Sequence, residues 1–102
     1  MKQYRQGDVF LQTINEIPKE AQQLKPHKRG YVLAEGEATG HAHTVDPQKT
    51  LMYLVGINMY LKVLEEVQLR HEEHGDVILP TGDYIVYRQR EYSPEEIRNV
   101  AD

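Results

Sequence analysis

Alternation of apolar and polar positions is the strongest signal along this chain. In "GDVFLQTI", residues 7–14, Val9, Leu11 and Thr13 face one side of an extended segment, and Phe10, Gln12 and Ile14 face the other. "DYIVYRQREY" (83–92) alternates in the same way, with Tyr84, Val86, Arg88, Arg90 and Tyr92 on one face. Both segments are expected strands. "YVLAEGEATGHAHTV" (31–45) divides into two strand segments, with Gly36 and Gly40 marking a turn or bulge between them. "LMYLVG" (51–56) and "NMYLKVLEEVQL" (58–69) suggest a hairpin around Gly56-Ile57-Asn58. Residues 58–74 read in two ways. Leu61, Leu64, Val67 and His71 approach helical spacing, whereas Met59, Leu61 and Val63 alternate, and Tyr60, Val63 and Val67 favour strand. The strand reading is preferred.

The connecting segments carry their own signals. "NEIPKEAQQLKP" (15–26) is polar and bounded by prolines, so it is either a short helix from Pro18 to Leu24 or a loop. "PTGD" (80–83) is turn chemistry. "SPEEIRNVAD" closes the chain with a helix start: Ser93 caps, Pro94 takes the first helical position and Glu96 completes a capping box, giving a short C-terminal helix at about 94–101. The sum is a mostly β protein, a small β-barrel, roll or sandwich of about seven short strands with that helix. Barrel closure would hide the edges of so many strands. The 102 residues suit one domain spanning 1–102, because halving them would leave two cores too small to fold comfortably.

Composition narrows the partners. Hydrophobic residues make up 39% and tyrosines number seven, which is globular rather than disordered. The net charge of -4 gives no general attraction to polyanions, so no long nucleic acid is expected. The most basic stretch, "KPHKRG" (25–30), lies between a proline and a glycine and reads as a solvated loop that includes His27. The chain has no cysteine, which removes disulfides and thiolate metal sites. "MKQYRQGDVF" lacks the apolar run of a signal peptide, and no stretch is apolar for long enough to cross a membrane, so a cytoplasmic protein with no membrane partner is expected.

Four of the five histidines fall in two pairs, "HAH" (41–43) and "HEEH" (71–74). In an extended segment His41 and His43 share a face, about 7 Å apart, and can bind one ion from the same side. His71 follows Val67 and Leu69 in inward phase, and the H-x-x-H turn can present one or both of its imidazoles. Three or four neutral imidazoles suit a divalent transition metal such as Zn, Fe, Ni, Mn or Cu. Glu72 or Glu73 can add an oxygen ligand or orient a histidine, as can Glu35 and Glu37. The competing plain reading is an exposed H-x-H edge and a solvated H-E-E-H turn.

The pattern resembles the cupin family, small β-barrels whose first motif has a Gly, then H-x-H, then a Glu, and whose second has a Gly, P-x-G and a His. "GEATGHAH" supplies Gly36, His41 and His43, and "GDVILPTG" supplies Gly75, Pro80 and Gly82, so the likeness covers residues 36 to 87 or so. It implies a barrel with His41 and His43 as metal ligands. The chain departs from the pattern where Pro47 and Gln48 stand in place of the Glu and Ile85 stands near the second-motif His. The remaining ligands would come from "HEEH".

Three functions fit these residues. The first is a metal-binding β-barrel, with the ion on His41, His43, His71 and His74, or with a Glu as fourth ligand. It could be a metal-dependent enzyme, such as a hydrolase, acting on a small molecule. The second is a metal-free phosphodiesterase or nuclease. Its histidines would act as acid and base, with Glu73, Arg88, Arg90 and Tyr92 as candidate catalytic groups and the arginines gripping the phosphate of a short RNA or cyclic nucleotide. The plain alternative for "YRQREY" is an edge strand with cross-paired charges. The third is a non-catalytic interaction module. A tyrosine-rich chain of this size also suits a homodimer.

Overall fold

The computed structural model describes residues 2–35 and 40–88. Their regular structure is all strand: β1 (Gln3–Gln6), β2 (Val9–Ile14), β3 (Gln22–Gln23), β4 (Tyr31–Glu35), β5 (Ala42–Val45), β6 (Thr50–Val55), β7 (Asn58–Val63), β8 (Val67–Leu69), β9 (Val77–Leu79) and β10 (Gly82–Arg88). The expected helix at about 94–101 lies outside the described residues.

Six strands form one sheet in the order β1-β2-β10-β7-β6-β3, and β4-β5 and β8-β9 form two small antiparallel pairs. The small pairs are joined by a bridge in which Thr44 and Arg70 exchange backbone hydrogen bonds of 2.9 Å each. The alternation seen in the sequence selects the inner faces. Val9 and Leu11 of β2, Tyr84 and Val86 of β10, Leu61 and Val63 of β7 and Met52 of β6 are buried. They join Tyr31, Leu33, Val45, Val67, Leu69 and Leu79 of the small pairs in one apolar cluster. Burying that surface is the main force that holds the layers together.

Tyr84 sits at the centre of this core and donates its hydroxyl to the Pro80 carbonyl at 2.6 Å. Burial, with Tyr4 at its edge, pushes its phenol up to about 12.

Three expectations are corrected. Among the described residues no ladder joins the end strands β1 and β3, so the large sheet is open and the barrel does not close through it. Among the described residues ten strands replace about seven, because Gln3–Gln6 pairs with β2 as a hairpin, Gln22–Gln23 adds a short strand beside β6, and a bend at 64–65 splits 58–69 into β7 and β8. Residues 15–26 form no helix. Pro18 closes a turn with Ala21 at 3.1 Å, and Gln22 and Gln23 then pair with β6. The strand reading of 58–69 and the β6–β7 hairpin at Gly56-Ile57 are as the pattern indicates.

Candidate functional site

The two histidine pairs meet. His71 is the hub: its ring centroid lies 4.4 Å from His43, 4.6 Å from His74 and 5.6 Å from His41, and His43 lies 5.9 Å from His74. Their positions follow from local structure. His43 is in β5 with its side chain turned inward, 2% exposed. His71 follows Leu69 in the inward phase of β8. The "HEEH" segment then folds back on itself, because His71 Nδ1 accepts the backbone N–H groups of Glu73 (3.0 Å) and His74 (3.3 Å). That turn carries the His74 ring back against His71.

Two residues that periodicity did not single out complete the cluster. The β1–β2 hairpin reverses at Gly7-Asp8, with Gly7 at φ 60. Just before the turn, buried Gln6 donates through Nε2 to the carbonyls of Leu69 (2.8 Å) and Gly75 (3.0 Å). Its Oε1 is therefore an acceptor, and it lies 2.9 Å from His43 Nδ1. The proton of neutral His43 thus sits on Nδ1, and the lone pair of Nε2 faces Asp8 Oδ1 at 3.6 Å. Burial, reinforced by His71, lowers the pKa of His43 to about 4, so the imidazole is neutral near pH 7. Asp8 Oδ2 is held by Arg88 Nη2 at 3.2 Å, and Arg88 also reaches the Glu35 carbonyl at 3.4 Å. The Nε of Arg88 is buried without a partner among the described residues.

Gly7 is as much a part of the site as Asp8. A methyl group built on it would stand 2.7 Å from His74 Nε2, so only a residue without a side chain lets that ring approach the hairpin.

The expected acidic residues divide. Glu73 Oε1 lies 3.9 Å from His41 Nδ1 with its side chain mostly exposed, placing it at the rim. Glu72 turns away: its Oε1 accepts the Ala42 N–H at 2.9 Å and its Oε2 pairs with Arg29. The Ala42 hydrogen bond holds its carboxyl below the usual range. Glu35 contributes only its carbonyl to Arg88. Arg88 is brought to the cluster, whereas Arg90, Tyr92, Gly36 and Glu37 lie outside the described residues.

The donor set is one that transition metals favour: imidazole nitrogens with a carboxylate. Among the described residues, however, no three His, Asp or Glu side chains are already aimed at one point as a bound ion requires. His71 shows one reason. Its Nδ1 accepts the two N–H groups of the turn, so the proton of the neutral ring sits on Nε2, and binding an ion through either nitrogen requires the turn bonds to be given up.

No curated protein and no solved structure matches the chain. A family model described as a domain of unknown function, DUF8820, matches residues 5–89, from β1 to just beyond β10 and including every histidine of the cluster. The chain belongs to this DUF8820 family.

Proposed function

We propose that the protein is a metal-binding β protein whose histidine cluster and Asp8 hold one divalent transition-metal ion and offer it to a small molecule. The observation that carries this reading is the facing of two acceptors. The lone pair of His43 Nε2, fixed by Gln6, points at the carboxylate of Asp8 across 3.6 Å. That separation is too long for a hydrogen bond and leaves two electron-rich atoms opposed, with His43 buried and Asp8 half-buried. Two ligand atoms on a tetrahedral zinc, with bonds of about 2.1 Å, stand about 3.4 Å apart, so the gap suits a shared cation. His74 is the neighbouring donor, His71 joins it once its Nδ1 releases the two backbone N–H groups of the turn, and His41 with Glu73 forms the rim. The H-x-H and P-x-G likeness to cupins supports the same role for His41 and His43.

Gln6 is the orienting partner that a ligand histidine commonly has on its second nitrogen, and Arg88 holds Asp8 in place. When bound, the ion would supply Lewis acidity or an activated water. Around it the chain's own residues fix the His43 tautomer and anchor the carboxylate.

The test is metal content by mass spectrometry on tag-free protein, purified without chelator or added metal. About one transition-metal ion per chain is the expected result. If the protein carries none, and takes none up with a thermal shift on titration, the reading fails. The placement of Arg88 beside Asp8 and neutral His43 would then favour metal-free acid–base cleavage of a short phosphodiester, assayed on small nucleotides in chelator.

A further inference from the structure

The basic stretch 25–30 is not a free loop. His27 and Gly30 exchange backbone hydrogen bonds of 2.9 and 3.0 Å, closing a tight reversal with Lys28 and Arg29 at its corners. Gly30 is buried at φ 103, and a methyl group on it would stand 2.7 Å from the Val45 carbonyl, so the reversal is pressed against β5. Pinned there, it forms one wall of a cleft of about 610 Å³ whose opposite wall is the β8 segment with Arg70. A cleft of this size holds a small organic molecule.

Charge and chemistry define the occupant. Arg29 is paired with Glu72, and Lys49 stands 3.8 Å from Glu65. Lys28 and Arg70 line the cleft with no carboxylate partner among the described residues, and the Arg70 guanidinium bonds only to the neutral Gln68 amide, at 2.9 Å. Of the two acidic residues in the wall, Asp46 has Oδ1 occupied by the Gln48 N–H at 2.8 Å, and Glu66 stands on the β8 side. The lining also includes Ile78, a large apolar side chain that is 44% exposed. An unpaired guanidinium and an ammonium beside an exposed apolar surface suit a molecule with an anionic end and an apolar body. A planar guanidinium matches phosphate oxygens two at a time.

We propose that this cleft binds the phosphate group of a small phosphorylated molecule, held between Lys28 and Arg70 with its body against Ile78. A smaller hollow of about 420 Å³ shares Thr44 and Arg70 with the cleft and is lined by His71. Arg70 therefore stands between the phosphate position and the histidine cluster. The proposal does not depend on a metal at the histidines.

The test is a titration of the isotope-labelled full chain in chelator, followed by backbone amide NMR shifts. The probes are inorganic phosphate, adenosine monophosphate, adenosine and succinate. The expected result is saturable shifts at residues 28–30, 44 and 70 with phosphate and more tightly with the monophosphate, and none with adenosine or succinate. Arg70→Gln and Lys28→Gln, both at exposed positions, should each weaken binding about tenfold. Glu66→Gln should tighten it. No shifts, shifts elsewhere, or equal binding of succinate would overturn the proposal, as would phosphate binding no weaker than the monophosphate. Because chelator is present throughout, this outcome is separate from that of the metal measurement.

Discussion

Buried Gln6 and buried His43 are joined by a 2.9 Å hydrogen bond across 37 residues of sequence, and the direction of that bond decides which nitrogen of His43 is free. Gln6→Leu removes the acceptor for Nδ1–H and also the donor for the Leu69 and Gly75 carbonyls. Buried polar groups left without partners cost about 1–3 kcal/mol each. We expect Gln6→Leu to lower unfolding stability by about 2–4 kcal/mol in urea melts. Metal affinity should fall about 10–100-fold, the usual effect of removing an orienting partner from a ligand histidine. Unchanged metal affinity in a folded variant would show that the tautomer of His43 is irrelevant to binding.

Asp8 gives a sharper separation of roles. Asp8→Asn keeps the side chain's shape but removes the charge facing His43 Nε2 and Arg88. As a ligand, Asp8 should be needed for stoichiometric metal. His43→Ala and His71→Ala should reduce metal content as well, whereas Glu73→Gln, at the exposed rim, should reduce it little. Metal content by mass spectrometry checks all four. Full stoichiometry in Asp8→Asn would remove the carboxylate from the ligand set and leave only imidazoles.

How much of this was legible in the sequence differs by kind of information. Alternation identified the inward faces of β2 and β10, because a two-residue period needs only local sequence. The same parity put His71 in phase with Leu69, and the rings of the two pairs do meet. Gln6 and Asp8 escaped notice because their partners lie far along the chain: Leu69 is 63 residues from Gln6, and Arg88 is 80 from Asp8. Strand order makes those contacts, and periodicity does not encode strand order. The open large sheet was missed for the same reason. The basic stretch is solvated as its composition indicates, with 25–29 exposed, but composition does not show that Gly30 packs under the Val45 carbonyl and pins the reversal.

Gly7 ties the hairpin to His74. Gly7→Ala puts a side chain at φ 60 and a methyl group 2.7 Å from His74 Nε2. The backbone strain alone costs about 1 kcal/mol or more, and the contact adds displacement of the ring. We expect the single variant to lose stability and to bind metal more weakly. In the Gly7→Ala, His74→Ala pair the steric part should vanish, so the two losses in stability should not add. A double-mutant cycle measured by thermal or urea unfolding checks the coupling. Strict additivity would mean that His74 moves aside freely.

Acid should destabilise the metal-free protein through His43. Its pKa is lowered from 6.5 to about 4 by burial and by His71. Between those values the unfolded chain binds a proton that the folded chain does not, so stability is complete above pH 6.5 and falls as pH drops toward 4. A shift of that size corresponds to a loss on the order of 2–3 kcal/mol across the window. Urea melts of chelator-treated protein at a series of pH values should show this slope, and His43→Gln should flatten it. With metal bound, protons and ion compete for the same nitrogen, so the metal-loaded protein should resist acid further down the scale and then lose its ion and its extra stability together. If wild type and His43→Gln show the same pH slope, the acid sensitivity lies elsewhere, and His43 is not the group held neutral by the fold.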